Sequence, residues 1–134
     1  MYLHKLEKDE RTTFIAFAKH LATVDDQILD AREDYMLQYM CAEMGLDAAE
    51  VESAGSTSIE QVAKVFYRPE ARRVLVLEAL GVALCNGVFS GSQEAELKKL
   101  AGTFQLPDDF LARAQAVIEK QMQVMEEFDA LVEG

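Results

Sequence analysis

Apolar residues recur along most of the chain at intervals of three and four, the repeat of a helix that buries one face. Phe14, Phe17, Ala18, Leu21 and Ala22 make the first such stripe, on a helix predicted over residues 7–25. Leu37, Met40, Cys41 and Met44 make the second. Its start is marked by Asp30 and Glu33, a capping-box spacing in which each side chain can satisfy a free amide of the first turn. Gly45 follows where a chain leaving a helix turns left-handed. Asp47 and Glu50 repeat the capping spacing for a further short helix.

Residues 53–58 are small and polar and read as the central loop. Ser58 and Gln61 then cap a helix carrying Ile59, Val62, Ala63 and Phe66. Pro69 suits the first position of the next helix, where its missing N–H costs nothing. That helix, predicted over residues 69–85, is apolar nearly all round from Val74 onward, which places it at the centre of a bundle. A loop at Asn86 and Gly87 leads to Ser90 and Gln93, which cap a helix with Leu97, Leu100, Ala101 and Phe104. Pro107, Asp108 and Asp109 open the last helix, with acids at its positive dipole end. Phe110, Leu111, Ala114, Val117, Ile118, Met122, Met125, Phe128 and Leu131 line one broad face of it. Strand alternation and hairpin turns are lacking. The prediction is an all-α bundle of about seven helices in a single domain over residues 1–134.

Sliding the chain along itself gives one ungapped register, an offset of 60. Leu37, Met40, Cys41, Met44 and Leu46 meet Leu97, Leu100, Ala101, Phe104 and Leu106, while Ile15 and Phe17 meet Leu75 and Leu77. The connecting segments 26–30 and 86–90 fall over one another as well. Both copies read as helix, turn, apolar pair, cap and second helix. Two helical hairpins of one pattern, each too thin to bury its own face, would pack together.

This repeated unit resembles the TerB-like family of tellurite-resistance proteins. In that family a helix runs into Ala-Asp-Gly, then a hydrophobic residue, a cap and a Glu on the next helix, which ends in a Gly-Leu turn. The first copy has Asp26, Ile28, Asp30 and Glu33, then Gly45-Leu46; the second has Gly87, Val88, Ser90 and Glu94, then Gln105-Leu106. Gln27 stands where the family prefers Gly, and Asn86 and Gln93 stand in place of acids. The resemblance spans about residues 10–115. It implies a TerB-like helical bundle, a stress-related setting and an association of the acidic residues with divalent metal.

Charge narrows the partners. Thirteen Lys and Arg against 24 Asp and Glu leave a net charge of −11, a surface that repels phosphate backbones and disfavours nucleic acid. The longest apolar run, residues 74–85, contains Glu78 and is too short for a membrane span. The first nine residues are charged where a signal peptide needs an apolar core, so a cytoplasmic location is expected. Cys41 and Cys85 lie in apolar stretches without a CxxC partner and read as buried, inert thiols. Tyr35, Tyr39 and Tyr67 read as boundary residues with packed rings and wet hydroxyls.

Candidate chemistry centres on Asp26, Asp30 and Glu33, three carboxylates that a tight turn could gather around a hard cation. Capping accounts for the same side chains, and the spacing is not that of an EF-hand. A weakly bound Ca²⁺ or Mg²⁺ is the only cofactor in view. Glu78, on the most apolar helix, needs a cation or hydrogen-bond donors, and Arg72, Arg73 and His20 are the candidates. His4 and His20 lack the spacings of zinc or di-iron sites. The apolar face of the last helix is expected to fold back onto Tyr2, Leu3 and Leu6, which otherwise have nowhere to bury; left uncovered by the bundle, it would dock another protein or a second subunit. The expected function is a non-enzymatic interaction or ion-sensing module. The alternative is a small metal-dependent enzyme using the acidic turn and Glu78.

Overall fold

A computed structural model describes residues 1–24, 31–55, 57–85 and 89–134. Among them are a 3-10 turn at Leu3–Lys5 and seven α-helices: α1 (Lys8–Ala22), α2 (Ala31–Met44), α3 (Ala48–Ala54), α4 (Ile59–Val65), α5 (Pro69–Leu84), α6 (Gly91–Thr103) and α7 (Phe110–Glu133). The described residues contain no strand, so the fold is all-α.

The caps read from the sequence operate where they are described. Asp47 accepts from the Glu50 amide at 2.8 Å while Glu50 accepts from the Asp47 amide at 3.3 Å. Ser90 and Gln93 exchange the same two bonds at 3.1 and 3.2 Å. Ser58 accepts from the Gln61 amide. Three boundaries differ from the predictions. The first helix ends at Ala22, short of residue 25. α3 runs on through Ser53 and Ala54, so the central loop begins at Gly55. Pro107 does not open the last helix: its carbonyl accepts from the Phe110 amide at 3.0 Å, and the segment with both acids is a separate turn ahead of α7.

α1 and α5 are the two central helices. α5 buries Leu75, Val76, Ala79 and Leu80 on successive faces, as its composition requires. α1 packs against α5 and also touches α2, α3, α4 and α6. Five consecutive residues, Phe14 to Ala18, are consequently buried, wider than the single stripe its spacing predicted. Phe66, Val62, Leu97, Leu100, Leu37 and Met40 complete one contiguous core.

Several positions 60 apart share burial, although Phe17 is fully buried and Leu77 only partly. Leu37 and Leu97, Met40 and Leu100, and Met44 and Phe104 are all buried, and α2 and α6 start 60 residues apart. The two helices also end alike. The amides of Leu46 and Leu106 reach back to the carbonyls of Cys41 and Ala101 at 2.9 and 3.0 Å, the long bond of a left-handed helix terminator. Gly45 takes the left-handed conformation at φ 71° in the first case; Gln105 takes it at φ 58° in the second. Only the glycine does so without steric cost.

Candidate interaction surface

The residues singled out by sequence are not assembled into one site. Glu33 lies in the first turn of α2 and is buried, while Asp26 and Asp30 fall outside the described residues. Among the described residues no group of three or more His, Cys, Asp or Glu is placed to hold a metal ion.

Glu78 is buried at 8% exposure, but its partners are not Arg72, Arg73 or His20. Its Oε1 accepts from the Tyr2 amide at 2.7 Å and lies 3.0 Å from the Met1 α-ammonium. Glu43, on α2, completes the clasp: one oxygen meets the ammonium at 3.0 Å and the other accepts from the Leu3 amide at 3.0 Å. Burial alone would lower the ammonium's pKa; the bonds from Glu78 and Glu43 and their charges outweigh it and hold it above 8.0. One backbone amide and the Met1 amine satisfy Glu78, and no side-chain spacing could disclose them. Arg72 instead donates to the Phe66 carbonyl at 2.6 Å and lies over the Phe104 ring, 5.0 Å from its centroid. His20 pairs with Glu96 at 3.0 Å beside Phe17.

A second buried acid went unread. Glu10, 2% exposed, accepts from Arg68 through two nitrogens and from the Glu7 amide at 2.7 Å. The Glu7–Glu10 spacing is a capping-box signal that could have found it; the Arg68 partner, 58 residues away, could not be found from sequence.

The cysteines and tyrosines divide. Cys41 is buried, and burial pushes its thiol pKa up, only partly offset by Lys19. Cys85 is only partly buried. Tyr35, Tyr39 and Tyr67 stand out in solvent at 71%, 61% and 68% exposure, instead of packing their rings at the boundary as expected.

The largest departure concerns α7. Leu3 and Leu6 do find a place to bury, but the 3-10 turn that carries Leu3 packs on α2 and α5. The end of α7 does not fold back onto them. Its first turns rest on α5 and α6, with Ala114 buried and Phe110, Leu111 and Ile118 half-buried. Every residue from Glu119 onward is exposed. Val124, Met125, Phe128, Leu131 and Val132 therefore present an apolar face to solvent, with Phe128 at 57% and Leu131 at 80% exposure. Contiguous apolar surface of this kind is uncommon in solvent on a folded monomer.

Beside the first half of α7 runs a groove of about 490 Å³. Tyr2, Val74, Leu77, Phe110, Ala114 and Val117 form its walls, and Lys5, Glu70, Arg73 and Arg113 its rim. Lys5 donates to Glu70 at 2.7 Å, and this bond, with the Lys5 charge, keeps the Glu70 carboxyl below its usual range. The rim thus has three bases and one acid on a chain whose net charge is −11. No helix among the described residues is long and apolar enough to cross a membrane.

Comparison with protein-family models, with curated proteins and with solved structures yields no match, so the functional reading rests on the geometry of this chain.

Proposed function

We propose that the protein is a non-enzymatic interaction module that works through the exposed half of α7. The observation that supports this most directly is the row Val124, Phe128 and Leu131 in solvent on a helix whose first turns are anchored to the bundle. An anchored helix holds its outer turns in place, so these side chains lose little further freedom when a partner covers them. The TerB-like resemblance points the same way, small domains of that type commonly working inside larger assemblies, and it adds a stress-related setting.

Photo-crosslinking in cells tests this reading. A crosslinker placed at Val124 or Phe128 captures a discrete protein, whereas one at Lys99 on the exposed face of α6 does not. Absence of any adduct specific to α7 overturns the proposal. An ion-responsive form of the same reading assigns a divalent cation to Asp26, Asp30 and Glu33. Titrating Ca²⁺ or Mg²⁺ calorimetrically into wild type and an Asp26→Asn, Glu33→Gln variant decides it: a saturable heat lost in the variant supports the ion, and identical heats exclude it.

A further inference from the structure

We infer that the partner covering α7 is a second copy of this chain, with the two α7 helices packed antiparallel and the acidic outer end of each lying in the base-rimmed groove of the other. The inference rests on the interaction reading above and names the partner.

Spacing along α7 supplies the first argument. Phe110, Ala114, Val117, Gln121, Val124, Phe128 and Leu131 alternate steps of four and three, the seam of a coiled coil. The seam is continuous from the groove wall, where Phe110, Ala114 and Val117 lie, to the exposed end at Phe128 and Leu131. A partner helix that covers the exposed end by the same seam also reaches the groove. Because one chain offers both halves of the interface, two copies close on themselves around a two-fold axis.

Charge supplies the second. The inner half of α7 carries Arg113 and Lys120 against the single acid Glu119, while the charged residues beyond Lys120 are all acids: Glu126, Glu127, Asp129 and Glu133. An antiparallel pairing that seats Phe128 of one copy on Val117 of the other sets Gln121 against Val124 across the axis. On one flank Lys120 then meets Glu127 of the second copy, twice by symmetry. On the other flank Ile118 meets Met125, an apolar pair. Leu131 of the second copy arrives at the mouth of the groove, above the buried Ala114, bringing Glu133 toward the rim of Lys5, Arg73 and Arg113. A parallel pairing sets Lys120 against Met125 and stacks the two acidic ends on each other. Between two chains of net charge −11, only an arrangement that matches base to acid locally offsets the general repulsion.

Sedimentation equilibrium on the full chain tests the inference, with circular dichroism to confirm the fold of each variant. Wild type is expected to sediment as twice 15.0 kDa. Phe128→Asp, at an exposed position, is expected to leave the fold intact and weaken self-association by about a hundredfold or more, the loss of a large apolar anchor on each side of the axis. Lys120→Glu is expected to weaken it about tenfold, and the double variant Lys120→Glu, Glu127→Lys to restore it to within about twofold, since both symmetric pairs are rebuilt. Wild type that stays monomeric at about 100 µM, a range in which even weak specific pairs associate, overturns the second-copy assignment. In that event an α7 crosslink to a different protein preserves the interaction reading, and no crosslink removes both. A dimer indifferent to Phe128→Asp, or one the charge swap fails to restore, overturns the antiparallel arrangement.

Discussion

α5 and α7 are both rich in apolar residues, yet they end in opposite surroundings. α5 spends nearly its whole length in the core, with even its one interior acid enclosed. α7 is half again as long and buries only Ala114. The difference lies in neighbours. α5 is flanked by α1, α2, α6 and α7, whereas α7 meets α5 and α6 only along its first turns and then outruns them. Apolar content says that a helix face needs covering; it does not say which molecule covers it.

The strongest way to break this contrast is to truncate one leucine on each helix. Leu80→Ala, at a fully buried position, is expected to lower stability by about 2–5 kcal/mol, while Leu131→Ala stays within about 0.5 kcal/mol in the monomer. Urea denaturation at submicromolar concentration measures both, and a comparable loss at Leu131 would mean that α7's outer turns are part of the core. Acids on the two helices should separate similarly. Glu78→Ala strands the Tyr2 amide, leaves the Met1 ammonium to Glu43 alone and is expected to cost about 1–3 kcal/mol; Glu126→Ala, in solvent, changes unfolding free energy little.

The turn feeding α7 offers a smaller effect of opposite sign. Gln105→Gly relieves a left-handed residue and is expected to add about 1 kcal/mol, while Gly45→Ala, with open space for the new methyl but the wrong backbone angle, loses about the same. Equal melting temperatures across the pair would contradict the backbone argument. The smallest effect is pH dependence at the Glu43–Glu78 clasp. The ammonium's pKa is raised in the fold, so its stabilisation is complete below pH 8.0 and is lost as pH rises through the raised value. The expected loss is no more than about 1 kcal/mol, given the ammonium's exposure. Thermal melts from pH 7 to 10 should show a decline that a Glu43→Gln, Glu78→Gln variant lacks.

Much of the candidate site's chemistry was only half legible. Glu78 stood out in sequence because an acid in an apolar run needs partners, but those partners are a backbone amide and an amine, 76 and 77 residues away, which carry no side-chain signature. Glu10 shows the reverse: its local cap was readable, and its guanidinium partner was not. The groove could not be anticipated at all, since it is assembled from the chain's start, α5 and α7, and its basic rim is scattered as Lys5, Arg73 and Arg113.

By itself the sequence determined the helices, their caps, the left-handed exit at Gly45 and the central place of α5. Each depends on spacing over a few residues or on the cost of leaving apolar side chains and terminal amides in the wrong solvent. Only the tertiary structure decided that α1 is as deeply enclosed as α5, that the first residues clip to Glu43 and Glu78, and that α7 outruns its supports. Those outcomes depend on which surfaces meet across distant stretches of chain, a competition among many equally greasy faces that local patterning leaves open.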